Sequence, residues 1–399
     1  MIREPSSVLY STSANIGGSG LGTVAHETLR GIGSQLGLAL AYNNRAPDLD
    51  GRKIKTLRWH PVKLLSNVER RYYYDAKKKA ADRVAASLLR TGRFDLFHSW
   101  AGDALHSLRF AKQAGIPSIL EIPTWHKHQG KSIPPQIEEE MEFARARFPK
   151  RWLNRFLVLR HHVLEEYELA QLLMVRSEKA KETFIVADVP KEKLFLNSDG
   201  ADVQRFRPGE KPTVFRALFV GSLIKRKGVH VLLEAWKGLN LPRSELLLVG
   251  HLHPEIEPYL KASPPSVRVA GFQGRVEEFY RQSTIFVFPS SLEGSAKTTI
   301  EAAACGLAQV TTRESGDVVL DGVNGILVPP ENVETLSAAI LRLYENPDLV
   351  TEMGIAARQR VVDHFTWDHF RERVLAAYRV AMQNAEKNDG QVFTSNILR

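Results

Sequence analysis

The sequence predicts an α/β chain of two Rossmann-like domains in tandem, and three observations carry that prediction. Short apolar runs of the kind found in buried parallel strands alternate with helical patterns. The alternation occurs twice, in residues 8–196 and again in 217–328. Between the two series lies Phe206-Arg-Pro-Gly-Glu-Lys-Pro-Thr213, a segment with two prolines and a glycine that reads as a linker. Strands alternating with helices imply doubly wound, mostly parallel sheets.

In the first series the strands are expected at 8–11, 36–42, 54–59, 96–100, 118–122, 172–175 and 194–196, where apolar and β-branched or aromatic residues cluster. Helices are expected at 23–35, 75–89, 105–113, 137–147 and 163–169. In the second series strands are expected at 217–220, 245–249, 267–270, 285–288, 308–311 and 326–328, with helices at 229–238, 275–283, 298–305, 333–344, 349–362 and 367–383. This places an N-terminal domain at 1–206, a C-terminal domain at 207–365, a final helix at 366–384 and a polar tail at 385–399. Two such domains facing each other would put a ligand crevice at the C-terminal ends of their strands.

Composition narrows the class. Hydrophobic residues make up 43% and charged residues 25% of the 399, ordinary for a globular chain that builds its own core. The single cysteine, Cys305, has no internal disulfide partner and reads as a buried structural thiol. No apolar run reaches the ~18 residues of a membrane span, and Met1-Ile-Arg-Glu-Pro-Ser-Ser lacks a signal-peptide core, so a cytoplasmic location is expected. The net charge of +9 lies entirely in residues 1–205, which hold 32 Lys and Arg against 23 Asp and Glu. It concentrates in 63–93 (Lys63, Arg70, Arg71, Lys77, Lys78, Lys79, Arg83, Arg90, Arg93) and in 145–160, with Tyr72, Tyr73 and Tyr74 inside the first cluster. A solvated helix face accounts for such a pattern; the functional readings are an anionic acceptor or an anionic membrane surface. Nucleic acid is disfavoured because no recognition motif accompanies the charge.

The most informative stretch is Phe288-Pro-Ser-Ser-Leu-Glu-Gly-Ser-Ala-Lys-Thr-Thr-Ile-Glu-Ala-Ala-Ala-Cys-Gly306. An apolar strand leads into a small-residue loop and then a short helix closed by Gly306, a suitable residue after a helix end. Glu293 sits on the loop and Glu301 about one turn into the helix, with seven residues between them. Backbone N–H groups from Gly294 through Ser295 and Ala296 to Lys297 are expected to face an anion. Alone, the pair would read as two solvent-facing carboxylates; the buried strand and small-residue loop argue otherwise.

This stretch resembles the carboxylate-pair motif of the family 4 retaining glycosyltransferases, enzymes of the GT-B fold. The other motifs fall in family order: Gly17-Gly18, Glu121-Ile-Pro-Thr-Trp-His126, Asn197-Ser-Asp-Gly-Ala-Asp-Val-Gln-Arg-Phe206, Phe219-Val-Gly-Ser-Leu-Ile-Lys-Arg-Lys-Gly-Val-His-Val-Leu-Leu-Glu-Ala235, Leu246-Leu-Leu-Val-Gly250, Val267-Arg-Val-Ala-Gly271 and Asp321-Gly-Val-Asn-Gly-Ile-Leu-Val-Pro-Pro330. Together they span about residues 6 to 380.

The resemblance implies a metal-independent, retaining transfer of a sugar from a nucleotide-diphosphate sugar to a hydroxyl acceptor. Glu293 would lie against the donor sugar and Glu301 would hold the ribose hydroxyls, since a carboxylate accepts two hydrogen bonds from a diol. Gly294, Ser295 and Ala296 would line the donor, although the family's usual aromatic-Gly pair after Glu-Gly is here Ser295-Ala296. Arg226 and Lys227 would meet the donor pyrophosphate, as a forked guanidinium and a point charge. Many relatives carry Arg directly after the first glycine, where this chain has Ser222; Arg226 is taken to assume that role, with Lys225 the other choice. Gly17 and Gly18 would let the backbone approach donor and acceptor, and His126 would face the donor sugar, with His128 as its rival for that slot. The last helix would cross back onto the first domain. No cofactor is implied. The partners expected are a nucleotide sugar, a glycan or lipid-linked acceptor, and an anionic membrane surface.

Other enzyme classes fit worse. Gly17-Gly-Ser-Gly-Leu-Gly22 lacks the dinucleotide spacing, and no acid follows the second strand. No P-loop signature occurs, and no zinc-ligand cluster surrounds His126 and His128. A silent nucleotide-binding scaffold and a sugar-nucleotide epimerase remain as alternatives.

Overall fold

The structure is a computed structural model that describes residues 4–58, 60–67, 70–127 and 150–397; side chains at 66, 67, 150, 151 and beyond 385 are not described. Trp59, the helix expected at 137–147, His128, Arg145 and Arg147 lie outside the described residues. Contacts divide the chain into two units. The first is Met1–Val175, Thr183–Asn197 and Arg371–Arg399; the second is Arg176–Glu182 and Ser198–Phe370.

The first unit is built on a parallel sheet of seven strands, β1 (Val8–Ser11), β3 (Leu36–Ala41), β5 (Ile54–Thr56), β6 (Leu96–Trp100), β7 (Ser118–Glu121), β8 (Leu172–Val175) and β9 (Leu194–Leu196), in the order β5-β3-β1-β6-β7-β8-β9. Leu9 pairs with Phe97 and Leu120 with Leu173; all four are fully buried, and each contributes ~1.5–3 kcal/mol on leaving water. The chain runs outward from β1 through β3 to β5, then starts again beside β1 at β6. That reversal is where open α/β sheets leave a crevice at their strand ends. A small pair, β2 (Asn15–Ile16) with β4 (Asn43–Asn44), extends this edge.

Several expected bounds shift. The strand expected to reach 59 stops at Thr56. The helix expected from 75 begins at Arg70 and runs to Leu89. A helix at Glu178–Ile185 had no counterpart in the sequence reading. The final helix continues from Trp367 through the polar residues after Asn384 to Ile397, where a separate polar tail was expected. From Arg371 onward that helix belongs to the first unit. Its Tyr378 is 1% exposed and shares a hydrogen bond of 2.8 Å with His98 Nδ1. The far nitrogen of His98 lies 3.2 Å from Glu121, off the line of a hydrogen bond. Arg371 pairs with Glu27, and Arg373 donates to the Asn197 side chain at 3.0 Å.

The second unit carries six parallel strands, β10 (Phe215–Val220), β11 (Ser244–Val249), β12 (Val267–Gly271), β13 (Ile285–Phe288), β14 (Ala308–Thr311) and β15 (Gly325–Leu327), in the order β12-β11-β10-β13-β14-β15. Its reversal falls between β10 and β13. Phe219 stacks on Phe288 at 5.3 Å and Phe286 on Phe288 at 6.0 Å, so the centre of this sheet is rigid where its site begins. Asn332 caps the helix Val333–Glu345 through the Thr335 N–H, and Pro347 opens the helix Pro347–His364, both favourable at helix starts. Cys305 is buried, which pushes its thiol up to about 12. Among the described residues no helix is long and apolar enough to cross a membrane.

Candidate functional site

Two loops meet at the reversal of the second sheet. The first follows β10 and contains the short turn Lys225–Lys227 before the helix Val229–Leu239. Gly228 joins them with φ +70°, and a Cβ there would lie 2.1 Å from the carbonyl oxygen of Pro289. Only glycine fits this turn. The second loop follows β13 and leads into the helix Lys297–Ala304. Because β10 and β13 are sheet neighbours, with Ala217 opposite Ile285, residues far apart in sequence come together. The Arg226 carbonyl accepts hydrogen bonds from Ser291 N–H at 2.9 Å and from the Ser290 and Ser291 hydroxyls at 3.2 and 3.0 Å.

The side chains converge as well. The Arg226 guanidinium donates to the Leu292 carbonyl and, at 3.1 Å, to Glu293 Oε1. Lys227 Nζ lies 3.6 Å from the same oxygen, and the Ser290 hydroxyl donates to it at 3.2 Å. Glu293 is 14% exposed and Lys227 17%. Burial pulls the Lys227 ammonium below its ordinary range, with Glu293 opposing that fall. Lys225 turns elsewhere: its N–H donates to Glu255 at 3.0 Å and its ammonium lies over the Tyr259 ring at 5.3 Å. Of the two residues weighed for the role of the missing arginine, Arg226 is the one that joins the carboxylate. Glu301 does not touch this cluster. It accepts from the Tyr280 hydroxyl at 3.0 Å through one oxygen, and burial raises its carboxyl above the usual range while Lys297 opposes the rise.

One expectation needs correction. The N–H groups of 294–297 do not all face outward, because Ala296 N–H donates to the Ser315 carbonyl at 2.8 Å, and Glu293 N–H to the Glu314 carbonyl at 3.1 Å. The turn Arg313–Ser315 after β14 folds under the carboxylate loop and takes up the N–H groups of Glu293 and Ala296. Thr312 and Ser315 tie the same turn to the Ser290 and Phe288 carbonyls. Sequence reasoning passed over this brace; its only trace was the polar run Thr311 to Gly316 at the end of a strand. Gly294 and Ser295 have no hydrogen-bond acceptor for their N–H groups among the described residues. Ser222 likewise leaves its hydroxyl without a partner there.

Residues 214–346, which hold both loops, match the family described as "Glycosyl transferases group 1". That stretch, about a third of the chain, is what resembles the family. The chain is 29% identical over 319 residues to an MMP alpha-(1->4)-mannosyltransferase of Mycolicibacterium hassiacum, covering 76% of this chain and 74% of that protein. It is 30% identical to an uncharacterised glycosyltransferase of Methanocaldococcus jannaschii over 38% of this chain, and spans less than half of that protein, 44%. Among solved structures, Anabaena HepE in complex with UDP superposes with a TM-score of 0.66 at 16% identity, covering 93% of this chain and 98% of that one. The fold is GT-B.

The residues expected to act from outside the matched stretch 214–346 lie in the first unit. Gly17 has φ +73°, and a Cβ there would stand 3.0 Å from Ala46 N. Its N–H donates to Gly22 O at 3.0 Å, and that of Gly18 to Asn15 O at 3.0 Å. Within the unit, the close approach these glycines permit is to the chain's own backbone. His126 is 5% exposed. Its N–H donates to Thr183 Oγ1 at 2.9 Å, and its ring meets Phe184 edge-on at 4.8 Å and Tyr167 at 5.2 Å.

Proposed function

We propose that the chain is a retaining, metal-independent glycosyltransferase that binds a nucleotide-diphosphate sugar at the β10–β13 reversal and passes the sugar to a hydroxyl acceptor. One observation carries this reading: Arg226 and Lys227 converge on Glu293 beside a Glu301 whose second oxygen has no partner among the described residues. Two cations meet one carboxylate, so the cluster has positive charge to spare for a diphosphate. As the bond to the sugar breaks, negative charge grows on the leaving phosphate. Arg226, Lys227 and the N–H groups of Gly294 and Ser295 would stabilise it once donor has taken the place of Glu293 on the two cations. Such cations do the work a divalent metal does elsewhere. Glu293, released in part from Arg226, would face the donor sugar, and the open oxygen of Glu301 would take the ribose diol.

Gly17, Gly18 and His126 are assigned to donor and acceptor in the same reading. Membrane association belongs to it too. Leu64 and Trp152, 81% and 43% exposed, line a cavity in the first unit with Lys79, Arg83 and Arg155, a mixture of apolar and basic groups that suits an anionic lipid surface.

The test is thermal stabilisation by uridine, guanosine, adenosine and thymidine diphosphates in the presence of a chelator. One base should stand out, adding ~2.7 kcal/mol at ~100 times its Kd. Glu301→Gln should lose most of that gain. No shift with any base, or a shift only on adding metal, would count against the proposal.

A further inference from the structure

The reversal of the first sheet, between β1 and β6, carries a cation that the proposed chemistry has not used. Lys77, on the helix Arg70–Leu89, is 7% exposed. Its ammonium lies 3.9 Å from the centre of the Tyr42 ring, with Tyr74 at 5.4 Å and Tyr73 at 5.5 Å. It makes no hydrogen bond or ion pair with any described residue. Burying an ammonium without a counter-charge is expensive, and aromatic faces return only part of the loss.

The neighbouring groups supply only part of the missing charge: burial pulls the Lys77 ammonium below its ordinary range, and Asp103 opposes that fall without standing at ion-pair distance. Asp103, just after β6, turns its carboxylate to the Ser13 N–H at 2.7 Å, and burial raises it above the usual carboxylate range while Lys78 opposes the rise. Lys78 pairs loosely with Asp75, at 3.8 Å, and its ammonium reaches over Gly102. Tyr73 donates its hydroxyl to Tyr42 at 2.7 Å, which fixes two of the rings. Tyr74 is 54% exposed, so the cage is open on that side. Ser13, Tyr42 and Gly102 directly follow or lie near the ends of β1, β3 and β6, three adjacent strands. The site therefore sits on the crevice edge of its sheet.

We infer that Lys77 and its tyrosine cage bind an anionic group, phosphate or carboxylate, carried by the glycosyl acceptor. The ammonium gains the counter-charge it lacks. The ring faces, negative at their centres, suit the C–H face of a sugar beside that group. Calling the ligand an acceptor rests on the transferase reading; the preference for an anion does not.

The experiment is calorimetric titration of the full chain with glucose 6-phosphate, glucuronate and glucose. At least one anionic sugar should bind roughly tenfold or more tightly than glucose, as a charge-assisted contact implies; which one does so separates phosphate from carboxylate. Lys77→Met should abolish the preference and Lys77→Arg should keep part of it. Arg226→Ala should leave it intact, which separates this site from the donor loop. Should Lys77→Met fail to fold, Tyr74→Ala, at an exposed ring, should still weaken anionic sugars more than glucose. Equal binding of charged and neutral sugars, a preference that survives Lys77→Met or is untouched by Tyr74→Ala, or one lost in Arg226→Ala would overturn the assignment. Nucleotide diphosphate binding should be the same in wild type and Lys77→Met, so failure here and failure of the donor reading are told apart.

Discussion

The two sheets reverse in the same way but handle charge differently at the reversal. In the second unit Arg226 and Lys227 share the Glu293 carboxylate, which offsets part of their charge. In the first unit Lys77 is set among rings, with no carboxylate at ion-pair distance among the described residues and only the more distant charge of Asp103 opposing its burial. A paired cation keeps its charge and position while the ligand is away and must exchange partners when it arrives. An unpaired one is offset only from a distance, and a ligand in contact would complete the balance. The first arrangement suits a group whose charge changes during reaction; the second suits recognition of a charge that stays fixed.

The largest effect should come from the paired side. Arg226→Ala should lower kcat at saturating donor by ~10²–10³, and Lys227 alone should not restore it. A loss confined to KM would mean that Arg226 only binds donor and would weaken the contrast. Next in size is pH dependence at the unpaired side. Glu166 accepts from the N–H groups of Gly102 and Ala104, at 2.5 and 3.0 Å, and so holds the turn beside Asp103. Burial pushes its carboxyl up to about 8 from an ordinary 4.5, against those two donors. Between these values the folded chain holds a proton that the unfolded chain has released. Its contribution is therefore full below about 4.5 and lost as pH rises through about 8. Denaturant midpoints across that window should fall as pH rises, and Glu166→Gln should flatten the slope; an unchanged slope would reassign the titration. The smallest effect is the most direct probe of the deficit. Lys77→Met should raise stability by ~1 kcal/mol in the absence of ligand, since it removes a buried charge that has no ion-pair partner in contact. A fall of the same size would mean that the rings already satisfy the ammonium.

Much of this could be read from the residues alone. The strands Val8–Ser11, Leu96–Trp100, Leu172–Val175, Ile285–Phe288 and Ala308–Thr311 fall where the apolar runs put them, because a strand covered on both faces must be written in continuous apolar residues. The helix Glu178–Ile185 escaped because its charges interrupt the apolar period. The choice of Arg226 over Lys225 depends on how one short turn is oriented, which neighbouring basic residues do not encode. The same holds for Lys77, Lys78 and Lys79. They are identical letters on three directions of one helix, distinguished by what each meets: Lys77 the ring of Tyr42, Lys78 the Asp75 carboxylate and Lys79 the Arg155 carbonyl. The brace of Thr312 and Ser315 is equally silent, since it joins a turn to a loop that precedes it by some twenty residues.

The helix Trp367–Ile397 also sets the terms on which the molecule can be taken apart. Its residues from Arg371 belong with a sheet made of the first half of the chain, and they supply Tyr378 to His98 and Arg371 to Glu27. A fragment cut after Asn197 would expose that buried imidazole and strand Glu27. Independent expression of the first unit should therefore demand the C-terminal segment in trans, or a circular permutant in which Arg371 onward is fused ahead of Pro5. The second unit, cut at Ser198 and Phe370, carries no such debt apart from Arg176–Glu182.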